Sequence, residues 1–502
     1  MHHDFSMVDW GPDEAKGDAN ISSYFFPVDG FSDVKSGKVR YVIGRKGSGK
    51  TAIIEKIKSD ILDSPMAFFS QLSLRDFPTA SFSTLQDKAK SDKSKYVAAW
   101  QFLIYVELAK LVLQDNGARP AHVTEDLYAF LSINNFDSEI GFSETVNILK
   151  ENKNKVTVKG GWISAENNSG GSEQTLVKIH FNKAVEMLSR LLVQVESESE
   201  YRLFFDELDE GYSSDDQRLN LMILALIRAV EDSALILRRC NLNFNPLLVL
   251  RSDIYDILED NDLNKIDDYT LFIRWSLDPK ITAGDRLNGE KLMTLRNVVN
   301  TRITASTAAS GGMPDTWHTV TIDEDQGIPY SVGSLWKYIA NRTFERPRDI
   351  IKFLKISAKY QKQGRLRYAA VELAEIDYSE WLYKEIRDEI QSHLPVWRQS
   401  LQAITRVGRG RFSFEEFEVS LGKDSVITKW FESSSKNAID IAELLFKFGV
   451  IGNLEDRRWL FGYKDNALAF DPDMELIVHY GLHKKLRLLK SKGEYLNLES
   501  SN

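Results

Sequence analysis

The stretch "YVIGRKGSGKT", Tyr41 to Thr51, decides the fold. An apolar run enters a glycine-rich turn, and Ile53, Ile54 and Ile57 then recur at helical spacing. Strand, turn and helix therefore follow one another within a few residues. The pattern G-x-x-x-x-G-K-[ST] is met by Gly44, Gly49, Lys50 and Thr51. Gly44, Gly47 and Gly49 let backbone N–H groups turn inward around an anion, and the helix start adds partial positive charge. Lys50 can then reach β- and γ-phosphate oxygens, while the Thr51 hydroxyl ligates Mg²⁺. The bland alternative is a glycine-rich surface turn, and the flanking strand and helix argue against it. The segment Gly44, Arg45, Lys46, Gly47, Ser48, Gly49, Lys50, Thr51 and Ala52 is thus expected to bind nucleotide, with ATP and Mg²⁺ as the ligands.

A phosphate cradle needs a further carboxylate for the metal, at the end of a neighbouring strand. "LFFDELD" has that form: Asp206 would hold Mg²⁺ through water, and Glu207 would polarise the attacking water. The competing reading is a solvated acidic turn, since Asp209 and Glu210 continue the run. "LLVLRSD" delivers Arg251, Ser252 and Asp253 to the same sheet edge, where a polar group can sense the γ-phosphate. Equally, Arg251 could pair with Asp253 or the acidic turn and only close the strand end. "RTFERPRD" sets Arg342, Arg346 and Arg348 near a helix start. An arginine from a lid or a neighbouring subunit stabilises charge on a transferred phosphoryl group; otherwise these are a charged face. "NKID", 264–267, fits a guanine-reading motif but follows "LEDNDL" rather than an apolar strand, which favours ATP.

The whole chain sets the frame. At 502 residues it is too long for one core. Alternating strands and helices predict an α/β fold, a P-loop core with a parallel sheet flanked by helices. The expected division is a flexible leader at 1–20, then a core at 21–300 with a mostly helical insertion at about 78–178. A linker and helical lid at 301–375, a winged-helix-like domain at 376–490 and a tail at 491–502 follow. "TLVKIHFNKAVEMLSRLLVQV", 175–195, reads as one amphipathic helix, and "FGVIGNLEDRRWLFGY", 448–463, as a hairpin. Glycine pairs in "GGWISAENNSGGSEQ" (160–174) mark loops or a hairpin, and "TASTAASGGMP" (304–314) marks a linker.

Cys240 is the sole cysteine, which excludes an internal disulfide. The apolar stretches are far shorter than a membrane span, so a cytoplasmic protein without a membrane partner is expected. A net charge of −9 argues against a surface coated in basic groups for nucleic acid. "RVGRGRF" offers Arg406, Arg409 and Arg411 as a phosphate-contacting loop, but "FSFEEFE" sets acids beside it. DNA binding by this domain is one reading, and protein docking or autoinhibition is the plainer one. His479 and His483 have zinc-ligand spacing without a third ligand, so packing is expected.

Several stretches taken together resemble a family of bacterial P-loop ATPases related to the AAA+ and STAND branch. They are "YFFPVDGFSDVKSGKVRYVIGRKGSGKTAI", "FFDELD", "LRSDIYDIL" with "IRW" beyond it, "RTFERPRDII" and "FGVIGN…FGY…IVHYGLHKKL". The insertion at about 78–178 carries least of the likeness. The resemblance implies an origin-recognition-like order of ATPase core, helical lid and winged helix. It assigns Lys50 and Thr51 the Walker A roles, Asp206 and Glu207 the Walker B roles, Arg251 a sensor position and Arg348 a second sensor or finger. Arg251 departs from the asparagine or threonine more usual on that strand. Members of the family are often associated with antiviral defence loci. An ATP-hydrolysing switch acting with a separate effector protein follows, with self-assembly if an arginine completes each site in trans. A DNA-binding loader or initiator is the first alternative, and a nucleotide-binding scaffold with negligible turnover the second.

Overall fold

The computed structural model describes residues 3–488 except 76, 87–89, 92–93, 161–174, 210–211, 213–215, 241, 259, 261–262, 276–294, 308–315, 326, 330–331, 456–457 and 465–467. Most of the polar stretch at 160–174, the end of the 304–314 linker, Glu210 and the tail at 491–502 lie outside the described residues. The chain divides into two compact units, Pro27–Arg45 with Lys50–Ile273, and Met1–Phe26 with Lys46–Gly49 and Arg274–Asn502.

The first unit is built on the strands β1 (Tyr41–Gly44), β2 (Ala67–Ser73), β3 (Lys155–Lys159), β4 (Leu176–His180), β5 (Glu200–Asp206), β6 (Asn243–Arg251) and β7 (Thr270–Phe272). Five of them form one parallel sheet in the order β2-β5-β6-β1-β7. Its central strands are buried nearly end to end, as a sheet covered by helices on both faces requires. The order matters for the site. β6 lies between β1 and β5, with Gly44 opposite Arg251 and Phe205 opposite Leu248. Ser73 on β2 faces Asp206 on β5. The ends of four strands thus bring the glycine turn, Arg251, Asp206 and Ser73 to one edge of the sheet.

The insertion is integral to this core. Its helix Val97–Gln114 packs on Phe181–Leu192, Gln217–Arg238, β2 and β5. Among the described residues this is the one helix long and apolar enough to span a membrane, yet 72% of it is buried inside the fold. The helix expected across 175–195 is corrected: Leu176–His180 pairs antiparallel with β3, and the helix begins at Phe181. Helical periodicity of buried residues starts only there, with Phe181, Ala184, Val185, Leu188 and Leu192. Val156, Val158 and Ile179 close the hairpin over its inner face.

The second unit combines a helical segment with an antiparallel sheet. Helices Leu295–Thr307, Pro347–Tyr360 and Tyr368–Ile390 share a core with Trp317, Trp336 and Tyr338. Pro347 occupies the first turn of its helix, where its missing N–H leaves no intrahelical bond unmade. Helix Trp397–Val407 then leads to β8 (Arg411–Phe412), three helices spanning Phe414–Lys447, β9 (Ile451–Glu455), β10 (Arg458–Leu460) and β11 (Glu475–Val478). The four strands are ordered β10-β9-β11-β8, and β9 with β10 forms the expected hairpin. This is the layout of a winged-helix-like domain.

The leader at 1–20 is expected to be loose; its described part, residues 3–20, is instead held in this unit. Phe5, Val8 and Trp10 are buried in its core. The His3 and Phe5 N–H groups donate to Thr319 O and Gly364 O at 2.9 and 3.0 Å. The Arg302 guanidinium donates to Trp10 O at 2.9 Å and stacks 3.9 Å from the Tyr24 ring centre. The apolar residues of "DFSMVDW" form no run long enough to announce a helix or strand, and their partners lie some 300 positions on. Gly11 sits at φ 70°, and a Cβ there would lie 2.6 Å from both Arg302 Nη1 and Tyr24 Oη. Gly11→Ala is expected to destabilise this unit by about 1–2 kcal/mol, read as a lower denaturant midpoint. An unchanged midpoint would show that the segment does not contribute to stability.

Candidate nucleotide site

The turn after β1 bends through Gly47 at φ 78° and Gly49 at φ 103°, conformations that cost glycine nothing. Helix Lys50–Ile61 begins directly behind it and buries Ile53, Ile54 and Ile57. That fixes its first turn at the sheet edge. Lys50 Nζ donates to Gly44 O at 2.8 Å and to Arg45 O at 3.0 Å. Burial pushes its pKa down to about 8, with the negative charge of Asp209 opposing the shift and the positive charge of Arg251 reinforcing it.

Asp206 is nearly enclosed at the end of β5. Its two carboxylate oxygens have different partners. Oδ1 accepts the Glu207 N–H at 2.8 Å, and Oδ2 accepts the Thr51 hydroxyl at 3.2 Å. Burial raises its pKa; the Glu207 N–H, the Thr51 hydroxyl and the Lys50 charge pull it back. A hydroxyl and a carboxylate side by side are hard oxygen donors, the set that suits Mg²⁺.

Glu207 sits at φ 59°, the left-handed region that a residue with a Cβ enters only at a cost of about 1 kcal/mol or more. That conformation turns its side chain toward β2, where the Ser73 hydroxyl donates to its carboxylate. Sequence reading missed Ser73. Its signal was available only in part, as the polar residue closing an apolar strand; that it faces Asp206 depends on register.

Arg251 reaches the expected edge but is engaged there. Its guanidinium makes a two-pronged pair with Asp253 at 2.9 and 2.6 Å and a bond to Asp209 at 3.1 Å. The strand-closing ion pair, one of its two sequence readings, is therefore present. The "NKID" residues fall in the short helix Leu263–Tyr269, which precedes β7. Because β7 runs parallel to β1, they lie at the sheet edge opposite the glycine turn and cannot read a base held there.

The tip of the turn, Lys46–Gly49, belongs to the second unit. There the Trp275 indole Nε1–H donates to Ser48 O at 2.8 Å, and the Arg348 N–H to Gly47 O at 3.4 Å. Glu385 pairs with Lys46 at 3.3 Å and with Arg348 at 3.4 Å. The three arginines of "RTFERPRD" part company here. Arg342 pairs with Glu375 at 2.8 Å and Arg346 is buried between Asp349 and Glu389, both as internal ion pairs. Arg348 alone among them contacts the turn.

In the winged-helix-like domain, Arg409 pairs with Glu416, and Arg406 bonds Ser420 O at 3.1 Å and approaches Asp424 at 3.6 Å. Acids thus neutralise two of the three arginines of the basic loop, while Arg411 is exposed. His479 Nδ1 accepts the Gly481 N–H at 3.2 Å, and His483 Nε2 lies 3.0 Å from Val478 O. Both are packing residues, and among the described residues no group of three or more His, Cys, Asp or Glu side chains is placed to hold a metal ion.

The Lys50 shift has a pH consequence. In the free protein its ammonium is lost as pH rises through about 8, and phosphate oxygens need it charged. Nucleotide affinity should be flat below that pH and weaken above it, by up to about tenfold per pH unit, with a proton taken up on binding. Calorimetry in buffers of different ionisation enthalpy reads both, and constant affinity from pH 7 to 9.5 would overturn the prediction.

Comparisons with known proteins touch parts of this picture. Residues 293–387 match a family described as the FunZ-associated C-terminal helical domain. A search of curated proteins returns no match. The crystal structure of Cdc6p from Pyrobaculum aerophilum is similar at a TM-score of 0.30 and 13% identity, over 91% of this chain and 94% of that one.

Proposed function

We propose that this chain is an ATP-binding and ATP-hydrolysing regulatory switch. One observation carries the reading: Lys50, Thr51, Asp206 and Glu207, drawn from two strand ends, meet at one sheet edge with Thr51 and Asp206 hydrogen-bonded at 3.2 Å. A surface turn that matched the pattern by accident would have no reason to face a buried carboxylate on another strand. Bound Mg²⁺ would supply charge neutralisation across the phosphates. Lys50 binds phosphate oxygens, exchanging the Gly44 and Arg45 carbonyls for them. Thr51 and Asp206 would hold the metal between them. Glu207 accepts the proton of the attacking water, and Ser73 orients its carboxylate. Arg251 or Arg348 would report the γ-phosphate.

Regulation follows from differential affinity, since a ligand moves an equilibrium only by favouring one of its states. The γ-phosphate is what distinguishes ATP from ADP at such a site. The motif resemblance extends the proposal to a cytoplasmic switch that controls a separate effector in bacterial antiviral defence, with assembly of several copies. The pairing of Arg409 with Glu416 favours a protein over DNA as the partner of the C-terminal domain, leaving a DNA loader as the alternative.

The test is to titrate purified protein with ATP and Mg²⁺ while following unfolding temperature and phosphate release. A midpoint that ATP leaves unmoved would overturn nucleotide binding. Binding without phosphate release would reduce the protein to a scaffold.

A further inference from the structure

The glycine turn is held from outside as well as within, and the outer restraint comes from a residue with no place in the phosphate-binding motif. β7 pairs with β1, and the Ile273 N–H extends that pairing by donating to Ile43 O at 2.8 Å. Two residues further on, the Trp275 indole Nε1–H donates to Ser48 O at 2.8 Å, across 227 positions of sequence. Phe26 lies against the indole, with ring centres 6.4 Å apart.

The peptide between Ser48 and Gly49 is planar and trans, so its C=O and N–H point to opposite sides. A Ser48 carbonyl turned toward the indole therefore turns the Gly49 N–H away from it. The preceding peptide repeats the logic: Gly47 O accepts the Arg348 N–H at 3.4 Å, which turns the Ser48 N–H the other way. At the base of the turn the pattern reverses. Gly44 O and Arg45 O face inward and accept the Lys50 ammonium. Which N–H groups face the anion is thus decided by what holds the carbonyls. With Gly49 at φ 103°, this peptide has little intrinsic preference, so an external hydrogen bond can set it.

We infer that Trp275 is a positioning residue of the phosphate turn: its indole N–H fixes the Ser48–Gly49 peptide so that the Gly49 N–H is presented to a phosphate shared by ATP and ADP. This rests on the reading of the turn as a triphosphate site. Trp275 itself touches no phosphate. It acts by removing the freedom of one peptide plane before the ligand arrives.

The experiment compares wild type, Trp275→Phe and Trp275→His for ATP and ADP affinity at pH 8, with the unfolding midpoint of the unliganded proteins measured alongside. Phenylalanine keeps an aromatic ring but removes the donor. Histidine restores a ring N–H the same number of bonds from Cβ. Trp275→Phe is expected to weaken ATP and ADP by the same factor, about fivefold to tenfold, the size of one lost hydrogen bond. Trp275→His should stay within about twofold of wild type, because the donor is retained. Wild-type affinity in Trp275→Phe overturns the inference. So does equal weakening in both variants, which would assign the role to ring volume, or a loss confined to ATP, which would make Trp275 a γ-phosphate sensor. Should Trp275→Phe fail to fold, Trp275→His decides: wild-type affinity supports the donor role, and tenfold weakening overturns it. A wild type that binds neither nucleotide removes the reading of the turn itself, a result distinct from all of these.

Discussion

Lys50→Ala protein is expected to bind ATP and ADP about a hundredfold more weakly than wild type, with its unliganded fold intact. That loss reflects what the side chain does. Two hydrogen bonds from an ammonium to charged oxygens contribute about 1.5–3 kcal/mol each, and part of that is offset by the carbonyl bonds given up. In the free protein Nζ already spans Gly44 O and Arg45 O at 2.8 and 3.0 Å, so the ammonium is positioned before ligand arrives. Its pKa of about 8 shows that burial leaves the charge poorly compensated there. Phosphate supplies the missing compensation. The same burial means that removing the ammonium does not weaken the empty fold, so lost binding will not be confused with lost structure. Calorimetric titration and a denaturation curve check the two halves. Retained affinity at Lys50→Ala would overturn the nucleotide site and everything proposed on it.

Glu207→Gln is expected to lower the rate of phosphate release by roughly 10²–10⁴-fold while leaving ATP affinity within about threefold. The substitution keeps size and removes the proton-accepting charge. The amide oxygen can still accept the Ser73 hydroxyl, and the backbone N–H of residue 207 still orients Asp206 at 2.8 Å. Metal holding is therefore preserved while base catalysis is lost. Single-turnover measurement separates this from slow product release. Equal turnover in variant and wild type would remove Glu207 from the chemistry and return "DELD" to the acidic-turn reading. The strained φ of 59° gives this position a second handle, since a conformation held against its local preference is one that surrounding contacts can alter.

Much of this was legible in the chain itself. Residues close in sequence announce themselves through spacing: the glycines that allow the turn, the lysine and threonine behind them, the isoleucines of the next helix and the apolar run before Asp206. Each depends on contacts within one strand, turn or helix, where side-chain periodicity is a direct consequence of backbone geometry. Even the helix misplaced at 175–180 failed for a local reason, five alternating residues abutting a strongly amphipathic helix. Tertiary structure alone decided the rest. It set Ser73 opposite Asp206, brought Asp209 to Arg251, buried Arg346 against Glu389 while leaving Arg348 at the turn, tied down the N-terminal residues and brought Trp275 to Ser48. These pairings link residues tens to hundreds of positions apart, and no local period encodes them. They are fixed by strand order, register and burial, which exist only once the sheet and the helical core have formed.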